Sequence, residues 1–335
     1  MNVLVVDDEI LSVELLKEAL NLTGYEVAVR ENGSEALAYL RDHGECRIVI
    51  TDWEMPDMDG LELTRRIRQD SIGHYVYIIM VTSRGGTANV VEGLEAGADD
   101  FMSKPFHPSE LEVRLRSGLR LMSLEASNMT IFALAKLAES RDPETGAHLE
   151  RVRGYSRALA LRMGAEGPLR GEIDTAFVEN MYLTTPLHDI GKVAIPDYVL
   201  LKPGRLTDAE FEIMKRHTTE GAATLDSVLK VAPHASFLRV ARDIALCHHE
   251  RYDGTGYPRG LKGRDIPLAA RIFSLADVYD ALISKRVYKP AYSHDVAKNL
   301  IMEGDGTQFD PYVVEAFLAL EETFEAIVES QGRGM

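Results

Sequence analysis

Two kinds of hydrophobic patterning predict a multidomain chain, with a doubly wound parallel α/β sheet followed by an all-α domain. Up to about residue 120, short apolar runs alternate with amphipathic helical stretches, the signature of strands and helices in a parallel sheet. From about residue 125 the periodicity is helical, broken by Gly and Pro clusters at Lys202-Pro203-Gly204 and from Asp253 to Gly263. The length of 335 residues suits two domains.

In the first part, Val3 to Val6, Tyr25 to Arg30, Ile48 to Ile50, Val76 to Val81 and Ala98 to Met102 read as strands. Leu11 to Leu20 and Ser34 to Arg41 read as helices between them. The sheet domain therefore covers residues 1–120, the helical domain 125–335, and a connecting helix 108–141. In that helix Leu115, Leu119, Met122, Ala126, Met129 and Ala133 step by four and three, the pattern of a coiled-coil seam and so of a homodimer. Packing against the chain's own second domain would explain the same stripe.

The formal net charge of −16 opposes a DNA-binding role, which needs a basic face. It is compatible with a small anionic substrate where bound cations reverse the local sign. No stretch is long and apolar enough to cross a bilayer, and Met1 to Val6 is too short for a signal sequence, so a cytoplasmic protein without a membrane partner is expected. Cys46 and Cys247 then read as reduced thiols.

Sites in open parallel sheets form at the carboxyl ends of the strands. Asp7 and Asp8 follow the first run, Asp52 the third, Thr82 the fourth, and Lys104 the fifth. Three carboxylates at one place repel unless a cation lies between them, and oxygen ligands suit Mg²⁺. Singly, each acid reads equally well as a helix cap or a solvated loop residue. Together with Asp52-Trp53-Glu54-Met55-Pro56-Asp57-Met58-Asp59-Gly60, they resemble the response-regulator receiver family, with its flavodoxin-like fold, over residues 1–120. The resemblance implies that Asp52 accepts phosphate from a cognate sensor histidine kinase and that Asp7, Asp8 and Asp52 hold Mg²⁺. It also implies that Thr82, Phe101 and Lys104 form the switch. Glu54 adds a carboxylate near the acceptor.

In the helical part, Glu144 and His148, His188-Asp189, His217, His248-His249 and Asp277 recur in an order that chance rarely supplies. Mixed imidazole and carboxylate ligands suit Fe, Mn, Zn or Ni. With Asp142 as N-cap and Pro143 at the first helical position, Glu144 and His148 would share one helical face. Neighbours on a helix diverge by about 100°, so His188 and Asp189 can both ligate only if the carboxylate bridges two ions. Asp277 stands in an apolar helix, where an unpaired buried acid would be costly and a metal would remove the cost. Isolated, these residues are more often caps, core or surface groups.

The pair His188-Asp189 and the segment Gly256-Tyr257-Pro258 resemble the HD-GYP branch of the HD superfamily, over residues 125–325. Members hydrolyse cyclic di-GMP to linear pGpG, some go on to GMP, and some relatives prefer cyclic GMP-AMP. The resemblance implies a centre of two or three transition-metal ions, Fe or Mn ahead of Zn or Ni. Its core ligands are His188, Asp189, His217, His248, His249 and Asp277, and its extra ligands are Glu144 and His148. It places Asp189 and Lys192 in catalysis, with Lys192, Arg286 and Lys289 gripping substrate, and Pro290 departing from the usual basic run. GGDEF-type or other signalling proteins are implied as partners. Other readings are a cyclic GMP-AMP phosphodiesterase, hydrolysis of a nucleotide monophosphate, and a catalytically weak module that senses dinucleotides or docks proteins.

Overall fold

The computed structural model describes residues 2–70, 74–83, 86–141, 147–284 and 291–332, side chains of 331 and 332 apart. They form two compact units, Met1–Ser127 and Asn128–Met335.

In the first unit five strands alternate with helices. The strands are β1 (Asn2–Val6), β2 (Glu26–Arg30), β3 (Ile48–Asp52), β4 (Tyr77–Thr82) and β5 (Asp100–Ser103). All pair in parallel in the order β2-β1-β3-β4-β5. Side chains alternate across a strand, so Val3 and Val5 enter one core and Leu4 and Val6 the other. Helix α1 (Ile10–Leu22) and the start of α5 (Pro108–Glu139) cover one face. Helices α2 (Gly33–Asp42), α3 (Gly60–Gln69) and α4 (Thr87–Glu95) lie on the opposite side, where α2 and α3 supply the buried helical residues of the second core. Burial on both faces is why β1, β3 and β4 are nearly continuous apolar runs, whereas the edge strand β2 is only partly buried.

The helix that begins at Pro108 ends at Glu139, and Ser140 and Arg141 form a turn beyond it. The stripe expected along it is divided. Leu115 and Met122 are buried in the core of the first unit, which removes them from any seam. Leu119, Ala126, Met129 and Ala133 are exposed. The reason is local: Leu115 and Met122 pack in one apolar core with β-strand residues and α1.

The second unit continues with α6 (Ala147–Ala165), α7 (Thr175–Thr184), α8 (Asp197–Leu200), α9 (Asp208–Leu229), α10 (Ser236–Cys247), α11 (Leu268–Ile283), α12 (His294–Glu303), α13 (Pro311–Leu318) and α14 (Glu321–Gly332). It has no strand among the described residues, only an isolated bridge between Asp305 and Phe309. Its core is aromatic. Tyr155 of α6 stacks on Phe324 of α14 at 4.5 Å between ring centroids, and Tyr279 and Phe317 meet Phe324 at 5.0 Å.

Between α7 and α8 the chain makes two short 3-10 turns, Thr185–Leu187 and Ile190–Ala194, with His188 and Asp189 at their joint. The second turn lies directly on α9. A Cβ on Gly191 would stand 1.9 Å from the carbonyl oxygen of His217 and 2.5 Å from the amide nitrogen of Gly221. Both neighbours are backbone and cannot step aside as a side chain would. Gly191→Ala should therefore cost about 1–3 kcal/mol of overpacking, read as a lower unfolding midpoint. An unchanged midpoint would contradict this close approach.

Candidate metal centre

Five elements of the helical unit carry the side chains that meet here. His148 lies in the first turn of α6, and His188 and Asp189 at the joint of the two 3-10 turns. His217 is in the middle of α9, His248 and His249 follow the end of α10, and Asp277 lies on α11. The joint, rather than one regular helix, lets the adjacent His188 and Asp189 point into the same space. Glu144, Arg286 and Lys289 lie outside the described residues, as do Asp142, Pro143 and Pro290.

Two groups of ligand atoms result. His148, His188 and Asp277 form one, and His217, His248 and His249 the other, with the atoms of each group within 4.8 Å of one another. Asp189 joins them: its Oδ2 is 3.1 Å from His188 Nε2, and its Oδ1 is 3.3 Å from His217 Nε2 and 3.8 Å from His248 Nε2.

The imidazoles are oriented by their other nitrogen. Nδ1 of His188 faces the Thr185 carbonyl at 3.0 Å, that of His217 the Met214 carbonyl at 2.7 Å, and that of His248 the Ile244 carbonyl at 3.0 Å. Nδ1 of His148 faces the Asp280 carboxylate at 2.8 Å. A carbonyl or carboxylate only accepts, so in each ring the proton belongs on Nδ1, and the Nε2 lone pair is left for the site. His217 Nε2 and His248 Nε2 then face each other at 3.5 Å, with Asp189 Oδ1 beside both. Among the described residues that buried oxygen accepts no hydrogen bond. Three acceptors in contact with no proton to share are held together only by a cation, so the donor set fits a transition metal.

The ionisation states of His217, His248 and His249 agree, whereas His188 is drawn the other way by Asp189. Burial, and then the neighbouring His249, hold His248 well below the usual imidazole range. Burial and His217 depress His249 to about 3, and burial also lowers His217. Burial would raise Asp189, but His188, Lys192 and His217 hold it well below the usual carboxylate range. His188 moves up, because the Asp189 carboxylate outweighs burial. The centre of negative charge is thus Asp189, and Lys192 Nζ lies 2.8 Å from its Oδ2.

Two further residues hold the frame and were not singled out from the sequence. The buried acid of α11 is Asp280, at 1% exposure, whereas Asp277 is at 24%, so the burial argument made for Asp277 belongs one turn further on. Asp280 is satisfied without a metal, accepting from Arg151 Nε at 2.6 Å as well as facing His148. The spacing Asp277-x-x-Asp280, which puts both acids on one helical face, was the available signal. Glu250 is buried beside His249, and its carboxylate accepts the amides of Arg259 at 2.7 Å and Leu261 at 3.0 Å. It staples the loop whose Tyr257 stacks on His249 at 4.7 Å. Gly256 is required there, since a Cβ would stand 2.3 Å from the Arg251 amide nitrogen.

At the strand ends of the first unit, Asp7, Asp8 and Asp52 also form a ligand group. Lys104 Nζ reaches Asp7 at 2.7 Å and Asp52 at 2.9 Å. Burial raises Asp52, against the pull of Lys104. Thr82 is buried, with its carbonyl accepting the Lys104 amide at 2.7 Å, and Phe101 is buried edge-on to Trp53. Glu54 is exposed. The two thiols are buried, which pushes Cys46 up to about 11 and Cys247 up to about 12. They are inert at neutral pH.

Asp280 holds the tautomer of His148, so Asp280→Asn should weaken metal binding roughly 10–100-fold while the fold is retained. Calorimetric titration of metal-free protein checks it, and equal affinity would contradict the role.

Residues 133–313 match the HD domain family, and residues 3–116 match the response regulator receiver domain. A protein named probable cyclic di-GMP phosphodiesterase, from Vibrio cholerae, is 38% identical over 351 residues, covering 98% of this chain and 79% of that one. A cyclic di-GMP phosphodiesterase from the same organism is 52% identical over 223 residues, 64% of this chain and 45% of the relative. A 3'3'-cGAMP-specific phosphodiesterase 2, also from Vibrio cholerae, is 39% identical over 203 residues, 61% of this chain and 36% of the relative. This chain belongs to the HD-domain family in its HD-GYP branch, and it is a response regulator whose second domain is a metal-dependent hydrolase.

Proposed function

We propose that this chain hydrolyses cyclic di-GMP to linear pGpG under the control of phosphorylation at Asp52. The observation that carries the reading is Asp189 set between two groups of imidazole and carboxylate ligands. A carboxylate with one oxygen toward each group suits at least two ions, Fe or Mn by ligand type. His148, His188 and Asp277 would hold one, and His217, His248 and His249 the other, with Asp189 shared. Glu144 would serve a third. When bound, such ions supply the Lewis acidity that lowers the pKa of a water nucleophile and neutralises charge on a phosphoryl oxygen.

The protein's own part is placement. Water adds to one phosphorus in line with the departing 3′ oxygen, so one P–O bond forms, one breaks, and that oxygen takes up a proton. The Lys192 ammonium, which pairs with Asp189, would offset the negative charge that grows on the phosphoryl oxygens. Arg286 and Lys289 would grip the second phosphate of the ring. The tautomers fixed at Nδ1 keep the Nε2 atoms aimed inward during the reaction.

For the receiver, Asp7, Asp8 and Asp52 would hold Mg²⁺, and Asp52 would attack a phosphoryl group donated by a sensor histidine kinase. Lys104 and Thr82 would take its oxygens, and Phe101 would report the change. The exposed Leu119, Ala126, Met129 and Ala133 of α5 support self-association, and GGDEF-type proteins are candidate signalling partners.

A second reading, hydrolysis of cyclic GMP-AMP, is favoured by the 39% identical relative, but the 52% identical one supports cyclic di-GMP. Side-by-side assays with Mn²⁺ or Fe²⁺ should give higher kcat/KM for cyclic di-GMP. The opposite order would replace the substrate, and no turnover of either would refute the enzyme reading. Asp189→Ala should lose both bound metal and turnover, and a metal-free Asp189→Ala protein that still hydrolysed the ring would refute the mechanism. Asp52→Asn should abolish labelling by a small phosphodonor and any response of turnover to beryllofluoride. Labelling that persists in the variant would move the acceptor elsewhere.

A further inference from the structure

The Ile190–Ala194 turn carries Lys192, and it is a weak element: 3-10 hydrogen bonds are poorly aligned and such turns are short. Something must keep Lys192 on Asp189. One support is apolar. Ile131, Phe132 and Ala135 of α5 share a core with Leu187 and Ile190, the residues that flank His188 and Asp189.

The other support is polar and comes from the residue just past the end of that same helix. Arg141 Nη1 donates to the Val193 carbonyl at 2.7 Å and reaches the Lys192 carbonyl at 3.5 Å, while Nη2 pairs with Asp197 at the start of α8. One guanidinium thus spans the turn and the helix that follows it. The Asp197 carboxylate is 71% exposed, so that ion pair by itself is worth little. The carbonyl contacts are different in kind, because they fix backbone that carries a site residue.

We propose that Arg141 is a positioning residue for the hydrolytic centre: it clasps the carbonyls of Lys192 and Val193 so that the Lys192 ammonium stays on Asp189. The proposal rests on the phosphodiesterase reading for its kinetic consequence and on geometry alone for its structural one. It also makes the end of α5 an element that sets the reacting groups.

A double-mutant cycle tests it on the full-length chain with bound metal. Arg141→Ala should lower kcat on cyclic di-GMP about tenfold, an ordinary cost for a misplaced reacting group, with KM and metal content little changed. In a Lys192→Ala background the same substitution should have almost no further effect. Arg141→Lys, which keeps one donor for Val193, should recover part of the loss. The same fold-loss in both backgrounds, or a loss reproduced by Asp197→Ala, would overturn the proposal in favour of a general structural role. Amide hydrogen exchange supplies a readout independent of hydrolysis. The amides of Lys192 and Ile195, bonded to the carbonyls of Asp189 and Lys192, should exchange at least about tenfold faster in Arg141→Ala. Unchanged exchange overturns the clasp even if wild-type protein cleaves no dinucleotide, and the absence of wild-type turnover would refute the substrate reading separately.

Discussion

Buried acceptors that face one another without a proton are the constraint on which the helical domain depends. Asp189 Oδ1, His217 Nε2 and His248 Nε2 meet in a space where burial disfavours charging the rings. Such an arrangement is costly in a bare protein and favourable around a cation. It explains the surrounding details as one set. Backbone carbonyls fix the tautomers, Asp280 and Arg151 fix His148, and Gly191 lets the turn lie against His217. Each device spends local stability or sequence freedom to aim one lone pair inward.

The receiver domain solves a related problem with oxygen alone. Asp7, Asp8 and Asp52 crowd the ends of parallel strands, and Lys104 lies between two of them. Carboxylates alone suit a hard cation and an imidazole-rich set suits a transition metal, so the two groups of side chains differ in the ion that they would favour. The carboxyl of Asp52 is drawn two ways, by burial upward and by Lys104 downward. A phosphorylated side chain there would alter the charge that Lys104 answers.

The architecture was legible because both periodicities are strong. Strands buried on two faces are apolar throughout, and the helical half has Gly and Pro breaks at its loops. The convergence of His148, His188, Asp277, His217, His248 and His249 was legible because His-Asp and Gly-Tyr-Pro leave few alternatives at this spacing. What sequence could not give was depth and direction. Asp277 and Asp280 look alike in an apolar helix, and only packing decides that Asp280 is the buried one, answered by Arg151 from α6, 129 positions away. The stripe on α5 is divided for a similar reason: periodicity gives a face, and the neighbouring sheet covers Leu115 and Met122. Arg141 carries no motif of its own, since its role lies in contacts with carbonyls, which any sequence provides.

The helical domain's chemistry turns on whether Asp189 joins two cations. Titration of metal-free protein with Mn²⁺ or Fe²⁺ under anaerobic conditions, followed by calorimetry, measures it most directly. At least two ions per chain should bind in the wild type, with both high-affinity phases lost together when Asp189 is replaced by Ala. A wild-type protein that takes up no ion, or whose His217 and His148 groups bind independently of Asp189, would contradict it.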